Sequence, residues 1–187
     1  YQEIEWPLAP TQLSARDREH PMLVDATPVT PRKILVTGAD GQLGRALRRV
    51  WNDQQADFFG HEEFDITDIP ELDFSGYWAI VNCAAYNDVN GAETDRAAAW
   101  ATNADAPATL AAIANEHDLT LVHVSSDYIF DGTRELHPEH EPASPLSAYG
   151  ASKAAGDTAA QVARKHYVVR TASVSYTHLR AHETDSY

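Results

Sequence analysis

Basic side chains are scarce in this chain: 14 Lys and Arg stand against 28 Asp and Glu, for a formal net charge of −14. Tracking a nucleic-acid backbone needs clustered cations, so nucleic acid is excluded as a partner. A nucleotide ligand is not excluded, because backbone N–H groups at a helix start can hold phosphate without basic side chains. Cysteine is nearly absent. Cys83 stands alone, which rules out an internal disulfide and fits a reducing cytoplasm. No run approaches the ~18 consecutive apolar residues of a membrane helix, and no charged-then-apolar leader opens the chain, so no membrane partner is expected. An initiating Met is also missing. Opening on Tyr1 reads as a processed N-terminus or as a piece of something longer.

What is present suffices for a core. The 187 residues are 43% hydrophobic, matching one domain of about 100–200 residues with an appendage. Residues 1–31 carry Pro7, Pro10, Pro21, Pro28 and Pro31, scattered charge and no sustained period, the composition of a tail or linker. At Arg32 the pattern changes. "RKILVTG", "ADFFG", "WAIVNCAA", "LTLVHVSS" and "HYVVRTA" read as five short buried strands. Between them, "QLGRALRRVW", the Ala-rich Gly91–His117 and Ser147–Lys165 read as helices, with a break or fresh first turn at Pro107. "DITDIPEL" reads as a turn leading into a short helix. Strands alternating with helices predict an α/β fold, a doubly wound, Rossmann-type parallel sheet in the order 3-2-1-4-5. The last stretch, Ser175–Tyr187, has no apolar period and reads as a non-native, adapter-derived tail, so it is excluded from the site; this includes His178 and His182, although they lie four apart.

Three glycines, Gly38, Gly41 and Gly44, fall at the first strand-to-helix junction in "TGADGQLG". A tight turn needs the first, close approach of backbone to a pyrophosphate the second, and helix–strand packing the third; the phosphates would sit at the helix start. No acid ends the second strand to hold a ribose 2′-hydroxyl, and no arginine replaces it, so NAD and NADP both stay open. Asp65, with Ile66, can reach an adenine edge or can cap a following helix. Strand four ends in Ser125 and Ser126, at the sheet edge where ligands bind. Beyond it, Tyr149 and Lys153 lie four apart on one helix face. A free phenol titrates near 10; a cation one turn away would favour phenolate and make the tyrosine a usable proton donor at neutral pH.

Together with "FDITD", "VNCAAY", "VSSDYIFDG", "SPLSAYGASKAAGD" and "VVRTA", these marks resemble the extended short-chain dehydrogenase/reductase family over about Lys33 to Val174. The resemblance implies contacts from Gly41, Gln42 and Leu43 to the pyrophosphate, from Asp65 and Ile66 to the adenosine, and from Ala84, Ala85 and Tyr86 to the ribose–nicotinamide side. It implies Ser126 and Asp127 against the sugar, Tyr149 as catalytic acid and Lys153 bridging to the nicotinamide ribose. The implied reaction is hydride transfer from NADPH or NADH to the 4-keto carbon of dTDP-4-dehydro-L-rhamnose. Sugar-nucleotide epimerases and dehydratases share these motifs but return the hydride within one turnover; non-catalytic NADP-binding subunits share the fold. Three positions depart from the family. Ser126 replaces the usual Thr and keeps the hydroxyl. Ser173 stands where a sugar-packing Trp is usual. Ala46 replaces a Glu found in members with a metal-bridged dimer, so no metal is expected, while a homodimer stays open. A second resemblance, of "EWPL" and "LSARDREHPML" to the end of dTDP-4-dehydrorhamnose 3,5-epimerase, implies a fused epimerase domain ahead of a reductase cut before its smaller substrate domain, so the chain by itself is expected to be inactive.

Overall fold

The computed structural model describes residues 30–172. The chain divides into two compact units, Tyr1–Pro31 and Arg32–Tyr187, and every strand and helix described below belongs to the second. The epimerase-like tail, Ser173 and the adapter-like segment lie outside the described residues.

Five parallel strands form the sheet: β1 (Lys33–Thr37), β2 (Ala56–Phe59), β3 (Tyr77–Asn82), β4 (Thr120–Ser126) and β5 (His166–Thr171). All five lie in the stretches where short apolar runs predict them. Their order does not follow the prediction. It is β2-β1-β3-β4-β5, not 3-2-1-4-5. The cause is the connection after β2. A helix is the usual crossover between parallel strands. Residues 60–73 instead make turns, and Phe64, Ile66 and Phe74 bury against Leu35 and Ile80. The chain thus passes over β1 and resumes on its far side. The helix expected in "DITDIPEL" is also absent, since Ile69 precedes Pro70 and is steered away from helical backbone. A single 3₁₀ turn, Phe74–Gly76, comes next, with Ser75 N donating to Asp73 Oδ1 at 2.9 Å.

Helix α1 (Gln42–Leu47) is short. The Ala-rich stretch divides into α2 (Gly91–Thr94), α3 (Arg96–Trp100), a π-turn (Ala101–Asp105) and α4 (Ala106–Glu116), with Pro107 in the first turn of α4. Helix α5 (Ala148–Ala160) starts where Ser147 Oγ accepts from Gly150 N at 3.0 Å. It stops short of Lys165 because Asn115 of α4 captures the next turn, donating to Val162 O (3.1 Å) and accepting from Arg164 N (2.8 Å). Alternation along β1 splits the core. Leu35 packs with Leu110, Ala111 and Ala160 under α4 and α5, while Ile34 and Val36 pack with Leu47 and Trp51 on the other face.

Candidate active site

Two parts of the carboxyl edge carry the residues singled out above. The first is a cleft of about 360 Å³ over β1 and β3. Gly38, Gly41, Asp65, Ile66, Ala84, Ala85 and Tyr86, all expected on the cofactor, line it together. Gly38 has φ +65°, and a Cβ there would lie 2.5 Å from Ala84 N, so side-chain-free backbone is required where β1 faces β3. A Cβ on Gly44 would meet Ala39 Cα at 2.5 Å, so the third glycine packs its helix on the loop leaving β1, where packing on a strand was expected. Gly44 is therefore buried under the loop, and Gln42 and Leu43, exposed on α1, are not among the lining residues. Asp65 accepts from Thr67 N and Thr67 Oγ1, both at 2.8 Å; these bonds hold its carboxyl below the usual range. They close a turn, not a helix cap, and leave Asp65 on the cleft wall.

The second part lies at the end of β4. Ser126 Oγ donates to Asp127 Oδ1 (3.1 Å) and accepts from Tyr128 N (3.2 Å). Tyr149 is 7% exposed and meets Tyr128 edge-on at 5.5 Å between ring centroids. It also packs with Tyr86 and Val89, which joins this part to the cleft. Close packing places the phenol: a Cβ on Gly150 would collide with Tyr128 O. Glu93 Oε1 accepts from Ala148 N at 2.7 Å, fixing the first turn of α5 to α2.

Lys153, one helical turn further along α5, is 2% exposed and donates from Nζ to Val124 O at 2.8 Å. Burial pulls its pKa down to about 8, against an upward pull from the Asp157 carboxylate. The expected lowering of the Tyr149 pKa by this cation is not found. Burial pushes the phenol above its ordinary value; the Ser126 hydroxyl pulls the other way, and the Asp127 charge adds to the rise. Burial is the largest cause, and the Lys153 ammonium, donating to Val124 O, is not among the groups that offset it.

Several buried polar residues escaped the reading of the sequence. Asn103, in the π-turn, accepts from Tyr86 N (2.9 Å) and donates to Tyr86 O (3.1 Å) and Ser152 Oγ (3.0 Å). It thereby ties the cleft wall to α5. Asn82 Oδ1 accepts from Thr37 Oγ1 (2.7 Å) and Ala84 N (3.2 Å), so its amide faces His123 Nδ1 at 3.2 Å and fixes the imidazole proton on Nε2. Burial, with the Lys153 charge, holds the His123 pKa down to about 3. Asp157 accepts from Arg170 Nε at 2.9 Å. Its signal was legible, since Asp157 follows Lys153 by one helical turn. Asn103 had only the oddity of an amide in an alanine-rich helix.

The family model of the RmlD substrate binding domain matches residues 32–182. The chain belongs to the RmlD substrate binding domain family. The match runs into the segment read as adapter-derived. Among curated relatives, dTDP-4-dehydrorhamnose reductase of Mycobacterium tuberculosis is 39% identical over 153 residues, covering 76% of this chain and 50% of that protein. A probable dTDP-4,6-dihydroxy-2-methyloxan-3-one 4-ketoreductase of Streptomyces antibioticus is 41% identical over 133 residues (67% and 45%), as is dTDP-4-keto-6-deoxy-D-glucose reductase of Streptomyces niveus (67% and 46%). The chain spans about half the length of these curated relatives. Of solved structures, Bacillus anthracis dTDP-4-dehydrorhamnose reductase in complex with NADP superposes with a TM-score of 0.70 at 28% identity, covering 84% of this chain and 62% of that one. The Clostridium acetobutylicum reductase gives 0.70 at 30% identity, covering 81% and 59%.

Proposed function

We propose that this chain carries the nicotinamide-binding half of a dTDP-4-dehydrorhamnose reductase, which reduces the 4-keto group of dTDP-4-dehydro-L-rhamnose to give dTDP-L-rhamnose. The observation that carries the reading is the meeting of Ser126 and the buried Tyr149 hydroxyl beside a glycine-floored cleft. The cleft suits a dinucleotide, since side chains at Gly38 and Gly44 would fill it or distort its floor. Gly38, Gly41, Asp65, Ile66, Ala84, Ala85 and Tyr86 would hold NAD or NADP, with Gln42, Leu43 and Gly44 shaping the loop. Reduced nicotinamide bound there would supply the hydride. Ser126 and Tyr149 would hydrogen-bond the carbonyl oxygen, and Tyr149 would release its proton to that oxygen as negative charge develops. Asp127 would meet the sugar. Lys153, charged below about pH 8, would hold the nicotinamide ribose and place positive charge behind the phenol as it ionises.

A second substrate is favoured by one specific finding. Relatives named for other 4-keto sugar nucleotides, dTDP-4-keto-6-deoxy-D-glucose among them, are as similar as those named for dehydrorhamnose. Both readings predict the same chemistry. In the full-length protein, Tyr149→Phe should cut turnover at least about 100-fold while dinucleotide affinity stays nearly constant. Turnover is read from the loss of reduced nicotinamide absorbance with each sugar nucleotide. Equal loss of turnover and affinity would make the tyrosine structural.

A further inference from the structure

Discrimination between the two dinucleotides turns on what meets the adenosine ribose, and β2 ends at Phe59, followed by Gly60, with no acid at that end. The fold brings one from another element. Ala39 N donates to Phe59 O at 3.0 Å, fastening the glycine loop to the end of β2. That bond sets Asp40 beside Gly60, so that a Cβ built on Gly60 would collide with Asp40 Oδ2 and lie 3.0 Å from its Cγ. Gly60 N donates to Glu63 Oε2 at 3.0 Å, adding a second carboxylate at the same corner. Asp40, His61 and Asp65 line the cleft, and none of its described lining residues is Lys or Arg. His61 Nδ1 lies 3.9 Å from Asp65 Oδ1.

We propose that Asp40 selects NADH over NADPH, standing in space where an acid at the end of the second strand would stand. The assignment rests on the reading that the cleft holds a nicotinamide dinucleotide. A carboxylate accepts hydrogen bonds from a ribose diol. Against a 2′-phosphate, which carries between one and two negative charges at neutral pH, it repels, and Glu63 and Asp65 add to that repulsion. The missing side chain at Gly60 is what admits the Asp40 carboxylate, so the glycine is part of the device.

The test is a titration of the chain with NADH and with NADPH, monitored by the fluorescence of the reduced nicotinamide. NADH should bind at least about tenfold more tightly. Asp40→Asn removes the charge and Gly60→Ala pushes it aside; each should bring the ratio toward one, chiefly by tightening NADPH. Asp40 is exposed, so the first variant should keep the wild-type circular dichroism spectrum. Equal affinities in the unaltered chain, or a ratio that neither variant moves, would overturn the assignment while leaving the dinucleotide site in place. Failure of the folded chain to bind either would overturn the dinucleotide reading and this assignment with it.

Discussion

A lysine held at 2% exposure with its charge intact below about pH 8 is expensive, and the cost has a pH signature. The unfolded chain binds the Lys153 proton up to about 10.5, the folded chain only up to about 8. Between those values the unfolded state holds more protons, so this group makes stability rise with pH across that window. Its penalty is complete below about pH 8. Lys153→Met should therefore be more stable than the parent at pH 7 by about 3 kcal/mol, with the gap closing from pH 8 to 10.5. Denaturant melts of both proteins across that range check it; a gap that does not change with pH would contradict it. The comparison must be a difference, because Cys83, pushed up to about 11 by burial, and Tyr77, pushed up to about 12, work in the opposite direction at alkaline pH. Asp157, Arg170, His123 and Tyr149 share this environment. His123 adds an acid limb: neutral in the fold down to about pH 3, it contributes stability that is lost as pH falls below about 6.5.

Elements are placed by contacts at single small residues. Gly156 of α5 packs so closely on the π-turn that a Cβ would collide with Asn103 O and lie 3.4 Å from His123 Nε2. Gly156→Ala should destabilise the chain by about 1–3 kcal/mol, read as a lower midpoint in urea with an unchanged slope. Such contacts mark what was legible in the sequence and what was not. Strands announce themselves as apolar runs and the glycine loop as a spacing, so both could be read residue by residue. Sheet order depends on where residues 60–73 cross, which Phe64, Ile66 and Phe74 decide by packing against distant Leu35 and Ile80. The π-turn exists because Asn103 binds Tyr86 and Ser152, partners 17 and 49 residues away. The Tyr149 pKa failed for a related reason. Spacing of four placed the lysine on the right helix face, but the carbonyl that engages its ammonium comes from β4.

Across the molecule, a net charge of −14 and a cleft without described basic side chains leave phosphate recognition to the backbone, with long-range repulsion to overcome. Among the described residues β5 pairs with β4 alone, and Tyr167 and Val169 are exposed along it, 66% and 47%. No helix of the described residues is long and apolar enough to cross a membrane. The proposed chemistry is net transfer of a hydride, with its proton drawn from Tyr149. The most direct measurement gives the full-length protein 4,4-dideuterated NADH and dTDP-4-dehydro-L-rhamnose, then tracks deuterium by mass spectrometry. One deuterium should appear in each reduced sugar, matched by one oxidised cofactor, and the Tyr149→Phe variant should yield almost none. Sugar product without net cofactor oxidation, or labelled product at the parental rate from the variant, would contradict it.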